Sequence, residues 1–278
     1  MKKYSLFLDG SGIIAKEAAN HSYYTVGGII VDTAEVEEAR NSISIVGKKW
    51  RDIDNSTATK MVRAILDNAM AISVMQIEKM QPMWENFWNE GMQFHSVIAS
   101  AEKSRIGFLK PSTIIRYDSF RRGSTQAVGY CLRCQGLPKI ITPAGYSILD
   151  ITMICDTDIQ GEENADMFYD MCHDYHNRSK LKEKYNLEIK MSNVALKTEQ
   201  EEPLLLAADF VAGCFQWHLG KSEVPLPKQL DKSCAESIVS EFKRSKTFIS
   251  DQQGFHLTYE KIFRGKLYSY YKQHSGRQ

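Results

Sequence analysis

The chain has no long hydrophobic run. No apolar stretch in its 278 residues approaches the roughly 18 needed for a membrane span. The opening segment MKKYSLFLDG holds too few apolar residues before Asp9 to form a signal-peptide core. The expectation is a cytoplasmic protein with no membrane partner. Charge of one sign is not in excess either: 35 basic residues face 34 acidic ones, a formal net charge of +1. No whole-molecule field therefore draws the chain to nucleic acid or anionic lipid, and such binding must rest on local patches. Six scattered cysteines lack the density of a secreted disulfide scaffold, which agrees with a reducing compartment. There is no G-x-S-x-G elbow, no Walker A loop and no G-x-G-x-x-G fingerprint opening a helix. Serine hydrolase, nucleoside triphosphatase and dinucleotide-enzyme readings thus lack their mechanical parts.

What the chain does have is 43% hydrophobic residues, no low-complexity tract and no visible repeat, enough to bury a full core. Tyr4 to Leu8 reads as a strand, the turn DGSG follows, and YYTVGGIIV from Tyr23 reads as a second strand rich in β-branched and aromatic residues. Asp32 and Thr33 then offer an N-cap for AEVEEARNSISIVGKKW, whose apolar spacing is helical. From Asn55 to Gly136 the pattern is mostly helical, with one ambiguous strand-like piece, AISVMQIEK (Ala71 to Lys79), and a long helix from Pro111 to about Gln135. Tyr146 to Asp158 reads as a central strand, Glu162 to Tyr185 as a polar helix, Leu187 to Leu196 as a strand, and PLLLAADFVAGCFQWHL as an apolar helix. The alternation predicts an α/β fold, a mixed sheet flanked by helices. The organisation expected is one domain over residues 1–278. Its core covers about 1–33 and 140–220, with a helical insertion over about 34–138 and a C-terminal helical extension over about 221–278.

Carboxylates sit at equivalent places in this scheme. Asp9 ends the first strand, Asp156 and Asp158 end the Tyr146 strand, and Asp209 lies in an apolar helix preceded by Glu201 and Glu202. Ligands of open α/β sheets collect beyond the carboxyl ends of strands. An acid flanked by LLLAA and FVAG is costly to keep ionised without a cation. Hard oxygen donors with few histidines suit Mg2+ or Mn2+, and such ions support phosphodiester cleavage. Glycines after Asp9 would admit a substrate backbone. Each feature also has a plainer use: DGSG as a turn, Asp156-Thr157-Asp158 as a strand end and N-cap. Asp209 falls seven positions after Glu202, on the same face if the helix begins at Pro203.

LFLDGSG, YYTVGGIIVDTAEVEEA and EEPLLLAADFVAG together resemble the bacterial and phage family called domain of unknown function 3800. The matching positions are Asp9, Ser11 and Gly12, then Gly27 and Gly28, then Leu205, Ala208, Asp209 and Gly213; QFHSVI, with His95, is similar to a histidine-bearing segment of that family. The resemblance implies a ribonuclease H-like fold. It assigns Asp9, Asp156 and Asp209 as the holders of divalent metals for phosphodiester hydrolysis; Glu202 or Asp158 is expected as a further ligand that compensates for a family glutamate missing here. Gly10 stands where that family has glutamate and Leu206 where it has glutamine. These departures keep open a second expectation, a nuclease-like fold that has lost cleavage and binds nucleic acid or protein.

Substrate contacts are expected from Ser11, Gly12, His95, Arg121 and Arg122, because guanidinium forks suit phosphates. For the arginines a solvated helix face is the plainer use, and for His95 it is packing. Trp84, Phe87 and Trp88 have the spacing of a base-stacking cluster or of a core. Cys131-Leu-Arg-Cys134 with Cys172, His173 and His176 offers zinc-type ligands, although free cysteines are more commonly buried apolar groups. The leading expectation is a metal-dependent nuclease acting on RNA or DNA with Mg2+ or Mn2+. Homo-oligomers are left open.

Overall fold

The computed structural model describes residues 3–14, 23–79, 83–101, 111–134, 147–156, 187–220, 224–245, 247–254 and 273. Six strands form one mixed sheet. They are β1 (Lys3–Ser11), β2 (Tyr23–Asp32), β3 (Ala71–Glu78), β4 (Ser147–Asp156), β5 (Leu187–Lys197) and β6 (Thr247–Gly254), in the order β5-β4-β1-β2-β3-β6. β1, β2 and β3 run antiparallel in succession, β4 and β5 extend the far edge parallel to β1, and β6 lies parallel to β3. Every strand except β2 therefore ends at the same edge of the sheet.

Among the described residues six helices accompany the sheet: α1 (Val36–Val46), α2 (Asn55–Asn68), α3 (Met83–Ala101), α4 (Pro111–Cys134), α5 (Leu204–Leu219) and α6 (Lys232–Arg244). The architecture is the helix-flanked mixed sheet that the alternation predicts. Three boundaries differ. The first helix stops at Val46 rather than running to Trp50, because Gly47 takes a left-handed conformation (φ 57°) and returns its N–H to the Ile43 carbonyl, closing the helix. The stretch 34–138, expected as helical, supplies α1 to α4 but also β3, an internal strand buried along seven of its eight residues. Its polar residues Ser73 and Gln76 are buried with the apolar ones and three positions apart, so the stretch has no strict alternation to tell strand from helix. The C-terminal stretch, expected as helical, supplies α6 and then β6, an edge strand whose TFISDQQG sequence is too polar to announce a strand. The polar helix expected over 162–185 lies outside the described residues.

The two faces of the sheet are sorted by residue parity. Asp9 pairs with Gly27 and Phe7 with Ile29, so these share the face covered by α5; Leu8, Gly10, Tyr24 and Val26 take the other face, under α4. Helix α5 is apolar all round and is buried all round, as such a helix must be. It rests on the sheet without a spacer: a Cβ at Gly27 would come 2.7 Å from the Ala208 carbonyl oxygen. Its outer side packs on α6, where the Phe242 ring lies 6.1 Å from both Phe210 and Phe215. Burying each of these rings contributes about 1.5–3 kcal/mol. Among the described residues no helix is long and apolar enough to cross a membrane.

Candidate active site

The acids converge at the strand-end edge, on the α5 face. Asp9 lies two residues before the end of β1, which runs on through Gly10 and Ser11 where a DGSG turn is expected, and Asp156 closes the neighbouring parallel strand β4 on the same face, one position beyond the Leu8–Cys155 pair. A third carboxylate comes from Glu199, two residues past the end of β5. One oxygen from each of Asp9, Asp156 and Glu199 lies within 4.8 Å of the others. Asp209 projects from the second turn of α5 and stands outside that trio. Its Oδ2 accepts the Trp50 backbone N–H at 2.6 Å.

Burial makes this grouping costly. Asp9 is only 5% exposed, and its carboxyl is pushed well above the usual range, first by burial and then by the charges of Asp209 and Asp156; the Gly10 N–H on its Oδ1 at 2.6 Å works against this. Asp209 is raised to about 6, again chiefly by burial, with the Trp50 N–H and Lys49 opposing and Glu199 and Asp156 adding. Lys49 forms an ion pair with Glu199. Burial pulls its ammonium down, but Glu199, Asp209 and Asp156 outweigh that and hold it above its ordinary value.

Glu199 is the residue that sequence reasoning missed, and Glu202 is the one it put in Glu199's place. The heptad link between Glu202 and Asp209 requires a helix that includes both, whereas α5 begins at Leu204 after Pro203. Glu202 instead is a buried counter-ion. Arg40 of α1 donates through Nε and Nη2 to its two oxygens, at 3.1 and 2.7 Å. The neighbouring Glu201 accepts from the Thr198 N–H at 2.8 Å and closes the turn. Three glutamates in one short loop thus have three assignments, and the usable signal for Glu199 was the rule already applied to Asp9, an acid just beyond a strand. Glu202→Gln is expected to cost about 1–2 kcal/mol of stability, because it weakens a charge-assisted pair with a partly exposed Arg40 that keeps Glu37, while leaving Mn2+ affinity unchanged. Urea denaturation and metal titration check the two halves.

The space beside Gly10 is filled by Tyr24 of the neighbouring strand β2. A Cβ at Gly10 would overlap the Tyr24 hydroxyl, so Tyr24 and any side chain at residue 10 exclude one another. Tyr24 is buried, is hydrogen-bonded by Arg116 of α4, and has its hydroxyl raised above the usual value, first by burial, with Arg116 opposing and Asp9 and Asp156 adding. Gly10→Glu is therefore expected not to restore a ligand. It should destabilise the fold by about 2–3 kcal/mol, the usual cost of overpacking, with no gain in Mn2+ affinity in a calorimetric titration.

The remaining expected residues are distributed as follows. Ser11, two residues beyond Asp9, shares its sheet face and is half-buried, and Gly12 is exposed at φ 114°. The turn after them is held by Lys79, whose Nζ donates to the Ile13 carbonyl at 2.7 Å and sits 5.6 Å from the Trp84 ring centroid. Trp84, Phe87 and Trp88 are buried, so their spacing serves packing. Arg121 and Arg122 are half-buried on α4. His95 belongs to α3, with its side chain outside the described residues, as are Asp158, Cys172, His173, His176 and the side chains of Cys131 and Cys134.

No protein-family model matches the chain, and no curated protein matches it. Solved structures do. Ribonuclease H2 from Pyrococcus horikoshii OT3 is 11% identical with a TM-score of 0.41, over 99% of this chain and 100% of that one. RNase HII from Archaeoglobus fulgidus, solved as a complex with PCNA, is 11% identical with a TM-score of 0.36, over 86% of this chain and 88% of that one. Bst-RNase HIII, solved in complex with Mn2+, is 12% identical with a TM-score of 0.38, over 80% of this chain but 53% of that one, so this chain spans about half its length.

Proposed function

We propose that this chain is a divalent-metal-dependent nuclease hydrolysing phosphodiester bonds in RNA or DNA. Asp9, Asp156 and Glu199 are the proposed ligands of Mg2+ or Mn2+, with Asp209 beside them. The observation that carries this reading is the meeting of three carboxylate oxygens, from three separate chain segments, within 4.8 Å. The donor set fits the ion. It is all hard oxygen and partly buried, and the charges of Asp156 and Glu199 add to the raised proton affinity of Asp9, which a dication relieves. Such an ion, when bound, polarises a phosphodiester oxygen and makes water acidic enough to attack.

The chain's own residues do the positioning. The Gly10 N–H fixes Asp9, and the Trp50 N–H fixes Asp209. The exposed Gly12 gives a polymer backbone room beside the acids, with the Ser11 hydroxyl as a hydrogen-bonding group. Arg121 and Arg122 on α4 are the proposed phosphate contacts away from the scissile bond. The test is incubation with labelled single- and double-stranded RNA, DNA and hybrid, with Mn2+, Mg2+ or EDTA. Metal-dependent cleavage of at least one substrate is expected. Absence of both cleavage and Mn2+ binding would sink the reading.

One observation favours a second reading. Tyr24 closes off the space at residue 10 where the resembling family carries glutamate, which fits a nuclease-like fold that binds nucleic acid or protein without cleaving it. That reading expects retained binding with no turnover in the same assay.

A further inference from the structure

The acidic edge has a second face, and a cation stands on it. Asp9 and Gly10 are consecutive in β1, so the side chain of Asp9 lies on the α5 face and the room at Gly10 on the α4 face. The Tyr24 hydroxyl fills that room. It is close enough to Asp9 and Asp156 to feel both charges, and the Arg116 guanidinium of α4 donates a hydrogen bond to it. One hydroxyl thus separates this guanidinium from the acids.

The seating of α4 on the sheet brings Arg116 there. Gly123 lets the helix down onto β2, where any Cβ would come 2.9 Å from Val26. Arg116 lies seven residues earlier, about 10 Å along the helix, and its partner Tyr24 is two residues nearer the acidic edge than Val26. Arg121 and Arg122 stay level with Gly123, back over the sheet. Arg116 is half-buried, held by Tyr24 yet still open to solvent. A guanidinium fork matches phosphodiester oxygens, and one fixed before substrate arrives stabilises developing charge without reorganising. We propose that Arg116, positioned by the Tyr24 hydroxyl, contacts the scissile phosphodiester from the α4 side while the acids act from the α5 side. Tyr24 at residue 10 then marks an acid exchanged for a cation.

This inference rests on the proposed metal-dependent reading and names a substrate contact for it. Labelled single-stranded RNA, its DNA counterpart and the RNA–DNA hybrid are incubated with Mn2+ and wild type, Arg116→Met, Arg116→Lys or Tyr24→Phe. The same strands are titrated by fluorescence anisotropy in EDTA at several salt concentrations, and Mn2+ by calorimetry. Arg116→Met is expected to lower kcat about 100-fold and to reduce the slope of log affinity against log salt by about one, with Mn2+ affinity and melting temperature close to wild type. Arg116→Lys keeps the charge, and so the slope, and should recover about tenfold of the lost rate without the fork. Tyr24→Phe should keep the slope and lose about tenfold in kcat, because the charge remains but is no longer held. Cleavage by Arg116→Met at the wild-type rate, or a loss of rate matched by an equal loss of Mn2+ affinity, would overturn the inference while leaving the metal-dependent reading intact. Wild-type protein that cleaves none of the strands overturns both.

Discussion

Asp9→Asn is expected to lower metal-dependent cleavage by about 1000-fold or more, roughly 4 kcal/mol of transition-state stabilisation, and at the same time to make the metal-free protein more stable. The two effects have one cause. Asp9 is buried among Asp156, Glu199 and Asp209, so its ionised form is held against both desolvation and repulsion. Asparagine keeps an oxygen to accept the Gly10 N–H and so preserves that contact, but it brings no charge. Without metal, the variant loses only a penalty; with metal, it loses a ligand. Single-turnover cleavage and melting curves in EDTA provide the two readouts. A variant that cleaves normally removes Asp9 from the site. A variant that melts lower without metal shows that Asp9 serves structure rather than chemistry. Glu199→Gln should follow the same pattern in cleavage, and its contrast with Glu202→Gln distinguishes the pocket glutamate from the one bound by Arg40.

The sequence made the strand-borne acids legible because each stands at or near the end of a strand, and strand ends follow from local apolar runs bounded by turn residues. Asp209 was legible for a different reason: one acid in an otherwise apolar helix is a charge that must have a partner. Glu199 was not, since Thr198 to Glu202 carries three glutamates and only the fold sorts them, one to Lys49, one to the Thr198 turn and one to Arg40. Lys49 was hidden for a similar reason. GKKW reads as the polar end of a helix although Gly47 is a local stop signal, and nothing local shows that Gly213, far along the chain, holds a slot for Trp50. Gly10 could be seen as a departure, yet its meaning required the strand register that brings Tyr24 over it. β3 and β6 were obscured for different reasons, β3 because its buried Ser73 and Gln76 break any alternation and β6 because its sequence is too polar.

The second large effect expected is a metal-dependent gain in stability that appears only above the acidic range. Asp209 shifts from 3.8 to about 6 on folding, so the folded state holds its proton where the unfolded chain has released it. A raised carboxyl favours the folded state below the unfolded value; that advantage is lost as pH climbs from about 4 to about 6, on the order of 3 kcal/mol at this one group. Asp9 shifts in the same direction and extends the loss. The metal-free protein should therefore melt lower at pH 7.5 than at pH 5. Mn2+ reverses this only where the acids are ionised, because protons and metal compete for the same oxygens. At a hundredfold excess over its dissociation constant, Mn2+ should raise the melting temperature by about 5–10 °C at pH 7.5 and by much less at pH 5. Asp209→Asn, which keeps an acceptor for the Trp50 N–H, should raise the metal-free melting temperature at pH 7.5 and leave it nearly unchanged at pH 4. If Mn2+ stabilised the protein equally at both pH values, the ion would be bound elsewhere, because a site made of these carboxylates must lose it as they take up protons.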